Sequence, residues 1–136
     1  GSDMTMDRSW EDSVLPVVEA GLVDFVADDA GVVLDCLEVE PVPGHTAGML
    51  SYRLRSEDEE GLFCGDVFHS PVQIMRPDIN TAYCQLQDIA RSTRLRVLNE
   101  AADRNTLIMP MHLGAPYCGY IRRNETGFEF EPAVWA

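Results

Sequence analysis

Two of the three histidines in this chain follow the same local pattern. His45 and His112 each follow an apolar segment and a proline, and each precedes a glycine within three residues. Asp66 directly follows Gly65 at the end of another apolar segment. Side chains at the ends of neighbouring strands meet at one edge of a sheet, so these three side chains can converge in space. Two imidazoles and one carboxylate suit zinc, manganese or iron.

A structural role remains open for each of these residues on spacing alone. A histidine at a strand end is often a hydrogen-bonded residue of the surface or the core, and an aspartate after a glycine is often a turn residue. His69 lies three residues after Asp66. That position places His69 either behind the ligands of a metal site or facing a substrate.

Length, charge and cysteine content narrow the class of protein. The 136 residues suit one domain over 1–136, with 1–8 as a tag remnant or a flexible start. No apolar run approaches the roughly 20 residues that cross a bilayer, and no signal peptide is recognisable. The net charge of −13 repels phosphate backbones and anionic lipids, so we expect neither nucleic acid nor membrane as a partner. The four cysteines form no CxxC pair, which favours free thiols in the cytoplasm.

Hydrophobic periodicity predicts the elements that must position these side chains. It predicts two helices, over 9–20 and 81–104, and an irregular loop with one short turn over 67–82. It predicts strands over 22–27, 32–39, 49–55, 61–64, 107–109, 119–123 and 128–131. The fold class is therefore α+β, with a mostly antiparallel sheet and helices packed on one face.

Two of these segments carry specific burial predictions. In the strand 49–55, alternation predicts a buried apolar face and a wet face formed by Ser51, Arg53 and Arg55. In the long helix, the 3-4 spacing predicts one buried face, and the charged residues fall mostly elsewhere: Asp88, Arg91, Arg94 and Arg96. That face consists of Leu86, Ile89, Ala90, Thr93, Val97 and Ala101.

Three short motifs, in order along the chain, resemble those of one hydrolase superfamily. The run 43–48, Pro-Gly-His-Thr-Ala-Gly, resembles the PGHTxG motif of the metallo-β-lactamase-fold hydrolases. The run 64–67 resembles their "GD" motif, and Met-Pro-Met-His at 109–112, with Pro116 and Gly119, is similar to their last histidine motif. The residues 65–73 and 112–119 look most like the branch that includes N-acyl-homoserine lactonases.

The resemblance implies a fold, a reaction and roles for individual residues. The fold is the C-terminal half of an αββα sandwich of two related halves. His45 would complete one metal site, Asp66 would bridge two metals and act in catalysis, and His112 would complete the second site. The cofactor would be zinc, two ions per site in the intact family. The substrate would be a small molecule with a lactone, ester or related acyl bond, which metal-activated hydroxide cleaves.

The sequence departs from the family in one large respect. The HxHxDH motif, which supplies three more histidines and an aspartate, has no match here, and no histidine precedes His45. We therefore expect this chain to be the C-terminal portion of such a hydrolase. We expect it to bind no metal or one weakly bound ion, and to be inactive by itself. We also expect the sheet face meant for the other half to be exposed, which favours self-association.

Two other functions remain open at this stage. The chain can be a non-catalytic binding module with a degenerate form of the same fold. The superfamily also includes thioester hydrolases, nucleases and diiron oxidoreductases, and the acidic charge speaks against the nucleases.

Overall fold

One seven-stranded sheet forms the centre of the molecule. The computed structural model describes residues 8–27, 29 and 31–134. The strands lie side by side in chain order, β1 to β7. Their bounds are β1 Val32–Val33, β2 Leu37–Pro41, β3 Leu50–Ser56, β4 Glu59–Gly65, β5 Leu107–Pro110, β6 Gly119–Asn124 and β7 Gly127–Pro132. The segment 1–8, predicted to be a tag remnant or flexible start, lies outside the described residues except for its last position.

Within the described part of the chain, three α-helices and one π-helical turn accompany the sheet. A π-helical turn at Trp10–Val14 leads directly into α1, Leu15–Glu19, and together they confirm the predicted N-terminal helix. Pro16 lies in the first turn of α1, where proline is tolerated because its nitrogen needs no helical partner. The short helix α2, Val72–Met75, interrupts the predicted loop, and α3 runs over Gln87–Arg104. The predicted α+β class with a mostly antiparallel sheet is confirmed.

One pair of neighbouring strands is parallel, and this pairing determines which loops meet at the same edge of the sheet. β4 and β5 run in the same direction, with Gly65 opposite Pro110. Parallel neighbours need a crossover connection, and α2 and α3 lie in that connection. The carboxyl ends of both strands therefore reach the same edge of the sheet.

The core lies between one face of the sheet and α3. Leu62 and Cys64 of β4 alternate onto this face, and Ile108 and Ile121 continue it across β5 and β6. Against them pack the α3 residues Val97, Leu98 and Ala101, with Phe68 and Ile74 from the crossover. Each fully buried aliphatic side chain of this kind contributes about 1.5–3 kcal/mol relative to exposure.

The burial prediction for β3 is wrong for two of the three residues expected on the wet face, whereas Arg55 is exposed as predicted. Ser51 and Arg53 were expected in water, but they are 0% and 1% exposed. Arg53 is buried because it has partners: its Nε and Nη2 donate to the two oxygens of Glu40, at 2.5 and 2.9 Å. Its Nη1 donates to Glu60, which also accepts from Thr106 Oγ1 at 2.5 Å. A bidentate pair of this kind satisfies the charge that burial would otherwise isolate.

The apolar residues of β3 consequently lie on the opposite face of the sheet. Leu50, Tyr52 and Leu54 are only half-buried there. Tyr52 pairs with Phe63 of β4, which is 43% exposed. This face presents apolar surface to its surroundings.

Two further predictions before β2 need correction. The segment 22–27 forms no strand, and Leu22 and Phe25 are 76% and 84% exposed. The predicted strand 32–39 is broken, because Leu34 and Asp35 have φ of 50° and 61° and turn the chain back on itself. β1 and β2 therefore pair as a hairpin, with Val33 opposite Leu37. The segment 28–31, between these two predicted strands, lies partly outside the described residues.

The Arg53 cluster should make the fold sensitive to acid. The pKa of Glu40 is lowered, first of all by its hydrogen bond from Arg53. Burial alone would raise the pKa of Glu60, but hydrogen bonds from Thr106 and Arg55 and the charge of Arg53 outweigh it, so it too is lowered. A carboxyl with a lowered folded-state pKa contributes stability above its ordinary value of 4.5, and that stability is lost as pH falls through the folded value.

We therefore expect Glu60→Gln to lower the free energy of unfolding near neutral pH by about 1.5–3 kcal/mol, the cost of losing a charged hydrogen bond. Below the ordinary glutamate pKa, the variant and the parent protein should converge in stability. Urea unfolding across this pH range measures both effects. Glu125→Gln, in the exposed turn between β6 and β7, is the matched control. An unchanged gap between Glu60→Gln and the parent at all pH values would contradict the assignment.

Candidate metal centre

The strand arrangement brings the predicted ligands to one edge of the sheet. His45 lies in the loop that joins β2 to β3, where Val42 N donates to Met49 O at 2.9 Å. Asp66 directly follows β4, and His112 follows β5 by two residues. Because β3 is antiparallel to β4, the start of β3 and the end of β4 coincide. All three loops therefore meet.

Asp66 occupies the centre of this group. Its Oδ2 lies 3.3 Å from His45 Nε2, and its Oδ1 lies 3.1 Å from His112 Nε2. His69 Nε2 lies 3.9 Å from Oδ2, so His69 joins the side occupied by His45. The His69 ring lies between the other two, with centroids 4.8 Å from His45 and 4.9 Å from His112. One carboxylate thus faces imidazole nitrogen on both of its oxygens.

The His69 imidazole is suited to act as a neutral donor. Burial lowers the pKa of His69, and electrostatic repulsion from His45, His112 and Arg94 lowers it further. The negative charge of Asp66 acts in the opposite direction but does not outweigh them. A lowered pKa keeps His69 neutral, and the neutral ring is the form that binds metals. His45 Nδ1 and His69 Nδ1 are buried without a hydrogen-bond partner among the described residues.

The donor set fits a divalent transition metal ion. Ligand atoms of His45, Asp66 and His69 all lie within 4.8 Å of one another, and nitrogen and oxygen donors of these types suit such ions. The sequence predicted His45, Asp66 and His112 as ligands. The structure gathers all four side chains, with His112 the most exposed, at 50% of its side chain.

A cavity of about 550 Å³ opens above this group, and it contains residues that sequence reasoning missed. Besides the four side chains, its walls are formed by Thr46, Tyr83 and Gln85. Tyr83 and Gln85 were expected inside the long helix, which instead begins at Gln87. The main-chain N–H groups of Gln85 and Leu86 donate to the His45 loop, to His45 O and Gly44 O at 2.9 Å each. The residues predicted to form the first turn of the helix therefore form hydrogen bonds to the loop that carries His45.

The His45 loop is also clamped onto α3. Thr93 Oγ1 donates to Pro43 O at 2.6 Å. Gly44 has a φ of 143°, and a Cβ built on it would lie 2.4 Å from the Cα of Ala90. The glycine of the Pro-Gly-His run is therefore required by a close approach to helix backbone as well as by its own dihedral angle.

Several solved structures, described as hydrolases or as a lactonase, have a fold similar to that of this chain. A crystal structure described as hydrolase AbOPH of the beta-lactamase superfamily matches with a TM-score of 0.83 and 25% identity, over 90% of this chain and 42% of that chain. AidC, a dizinc quorum-quenching lactonase in complex with a product, matches with a TM-score of 0.76 and 22% identity, over 97% of this chain and 46% of that chain. A third, from Staphylococcus aureus, has a TM-score of 0.65 and 12% identity, over 85% of this chain and 42% of that chain.

These matches confirm the resemblance to the metallo-β-lactamase superfamily, and they confirm the fold. The chain spans a little under half the length of the solved chains that it matches. Neither a scan against protein-family models nor a search of curated proteins gave a match.

Gly44→Ala should displace the His45 loop. The added methyl group would collide with backbone atoms of α3, which cannot move aside as a flexible side chain can, and overpacking of this kind costs about 1–3 kcal/mol. Gly48→Ala is the matched control, because a Cβ there would meet nothing within 4 Å. Thermal unfolding of both variants measures the difference. Equal melting temperatures would show that the loop does not depend on its approach to α3.

Proposed function

We propose that this chain carries part of the active site of a metal-dependent hydrolase acting on a lactone, an ester or a related acyl bond. The observation that supports the proposal most is Asp66, whose two oxygens face His45 and His112 at 3.3 and 3.1 Å. A carboxylate so placed can bridge two metal ions. The neighbour AidC is described as a dizinc lactonase. We therefore propose zinc as the cofactor and a small acyl compound as the substrate.

The chain's own residues would divide the work of binding. His45, Asp66 and His112 would hold the metal, and the position of His69 beside Asp66 Oδ2 lets it serve as a further donor or face the substrate. A bound divalent ion supplies hydroxide near neutral pH and polarises the carbonyl under attack. The cavity of about 550 Å³ lies within the usual range for small-molecule sites, about 300–1,000 Å³. Tyr83, at its rim and 79% exposed, is placed to contact whatever enters.

The number of donors limits what this chain does by itself. Three histidines and one central aspartate are fewer than the family's dinuclear centre uses, because nothing in the sequence matches HxHxDH. We therefore propose that the remaining ligands come from polypeptide outside this sequence. Alone, the chain would hold one weakly bound ion or none and would hydrolyse little.

A second candidate function rests on the uncovered face of the sheet. Phe63 is 43% exposed there, and Tyr52 and Leu54 beside it are half-buried. Apolar surface of this kind favours association. A non-catalytic interaction module would keep this face and need no metal, so metal binding separates the two functions.

Metal binding should depend on Asp66. We expect Asp66→Asn to lower affinity for Zn²⁺ by at least about tenfold, because the amide keeps the shape but loses the charge that holds the ion. Isothermal titration with the whole chain measures this. Asp103→Asn removes an exposed carboxylate that pairs with Arg123 at 2.8 Å, and it should bind as the parent does. Equal affinity in Asp66→Asn and the parent would remove Asp66 from the site.

Hydrolysis should require the same carboxylate. In the protein with all its ligands, we expect Asp66→Asn to lower kcat/KM for lactone or ester substrates by about 100-fold or more, since metal-dependent charge stabilisation is worth several kcal/mol. A panel of aliphatic lactones and aryl esters, assayed with and without a chelator, measures it. Full activity in Asp66→Asn, or activity that a chelator leaves intact, would refute a metal-dependent reaction at this site.

A further inference from the structure

We propose that Gln73 is a positioning residue that holds His69 beside Asp66, and that Arg94 anchors the loop on which both His69 and Gln73 stand. The functional importance of this role rests on the proposed metal site. The hydrogen bonds of Gln73 and Arg94 stand independently of that proposal. Neither residue touches the cavity above the ligands. Both are nearly inaccessible, Gln73 at 3% and Arg94 at 1% exposure.

The Gln73 carboxamide joins the two ends of the loop. Its Oε1 accepts a hydrogen bond from the main-chain N–H of His69 at 2.7 Å. Its Nε2 donates to Ile79 O at 2.9 Å. One partner is a donor and the other an acceptor, so the hydrogen bonding fixes which end of the amide points to His69.

Arg94 ties the same loop to α3. Its Nε donates to Val67 O at 3.0 Å, next to Asp66 in the chain. Its Nη1 lies within hydrogen-bond distance of Pro77 O at 2.8 Å, Ile79 O at 3.1 Å and Asn80 Oδ1 at 3.0 Å. Ile79 O thus accepts from both Gln73 and Arg94. The loop is held near both of its ends by one buried side chain, and α3 supplies a rigid base for it.

The His69 ring packs between the rings of His45 and His112, but within the described residues no hydrogen bond to its Nδ1 fixes its orientation. A metal-binding histidine usually donates its second ring N–H to a neighbouring oxygen, which fixes the ring. His69 Nδ1 is buried and has no such partner among the described residues. The orientation of the ring therefore depends on the main chain of His69, and Gln73 is the side chain that holds that main chain.

A simple loop brace would have a different signature. If Gln73 only stabilised the loop, its loss would lower the melting temperature and leave the metal affinity of the folded protein unchanged. If Gln73 positions His69, affinity should fall as well. The two readings are separable with a control that removes an equally buried side-chain hydrogen bond elsewhere.

Thr106→Val provides that control. Thr106 is 0% exposed and donates to Glu60 at 2.5 Å. It precedes β5, whereas His112 follows β5, so the two lie at opposite ends of that strand. Valine has nearly the shape of threonine and lacks the hydroxyl.

The experiment compares the whole chain with Gln73→Met and Thr106→Val. Co²⁺ titration followed by visible absorption gives affinity, thermal unfolding gives stability, and amide hydrogen exchange in the metal-free protein reports the His69 N–H. We expect both variants to be destabilised. Only Gln73→Met should lose about tenfold or more in Co²⁺ affinity and show faster exchange at His69. Parent-like affinity in Gln73→Met, or an equal loss in Thr106→Val, overturns the inference.

Two further measurements separate this inference from the metal site itself. If the parent chain binds no Co²⁺, the proposed metal site fails in this chain, and the His69 ring resonances of metal-free Gln73→Met then decide: moved signals support positioning and unmoved signals overturn it. If Gln73→Met does not fold, Gln73→Glu decides, because its carboxylate still accepts from His69 N–H. A His69 amide that loses protection in Gln73→Glu overturns the inference.

Discussion

The parallel pairing of β4 with β5 is the constraint on which the rest of the site depends. An antiparallel neighbour would place the residue after one strand beside the start of the other. With Gly65 opposite Pro110, the residues that follow both strands emerge at one edge, so Asp66 and His112 come within 3.1 Å although they lie 46 positions apart in the sequence. The hairpin of β2 and β3 adds His45 at the same edge because β3 is antiparallel to β4. The crossover that parallel strands require supplies His69, the loop that holds it and the helix beneath.

Two buried arginines stabilise this arrangement by different means. Arg53 lies among carboxylates, with Glu40 and Glu60 as direct partners. Arg94 has no carboxylate partner among the ion pairs of the described residues, and carbonyl and amide oxygens satisfy it instead. The first arrangement joins strands to one another and titrates with acid. The second joins a loop to a helix and places a positive charge near the ligands, where it adds to the larger effect of burial in lowering the pKa of His69.

The site is well formed in shape and sparse in ligands. Its central aspartate, its three imidazoles and the cavity above them would suit the metal-dependent hydrolysis proposed for it. The same sheet presents a half-exposed apolar face, on which Phe63 is 43% exposed. Both features agree with a chain that spans 42–46% of the hydrolases that share its fold.

The sequence by itself determined the α+β class, the strands from 49 onward, the body of the long helix and the choice of candidate ligands, since these follow from local periodicity and short motifs. It did not determine which polar residues are buried. Arg53 alternates with apolar residues and looks exposed, because its partner Glu40 lies 13 positions away. Arg94 was expected outside the buried face of the long helix but is 1% exposed, because it meets Val67 O across 27 positions; Gln73 gave no signal in the sequence. Periodicity reports only the preference of each side chain for water, whereas burial of a charge depends on partners that the tertiary fold supplies. Only the tertiary structure, therefore, decided how the ligands are held.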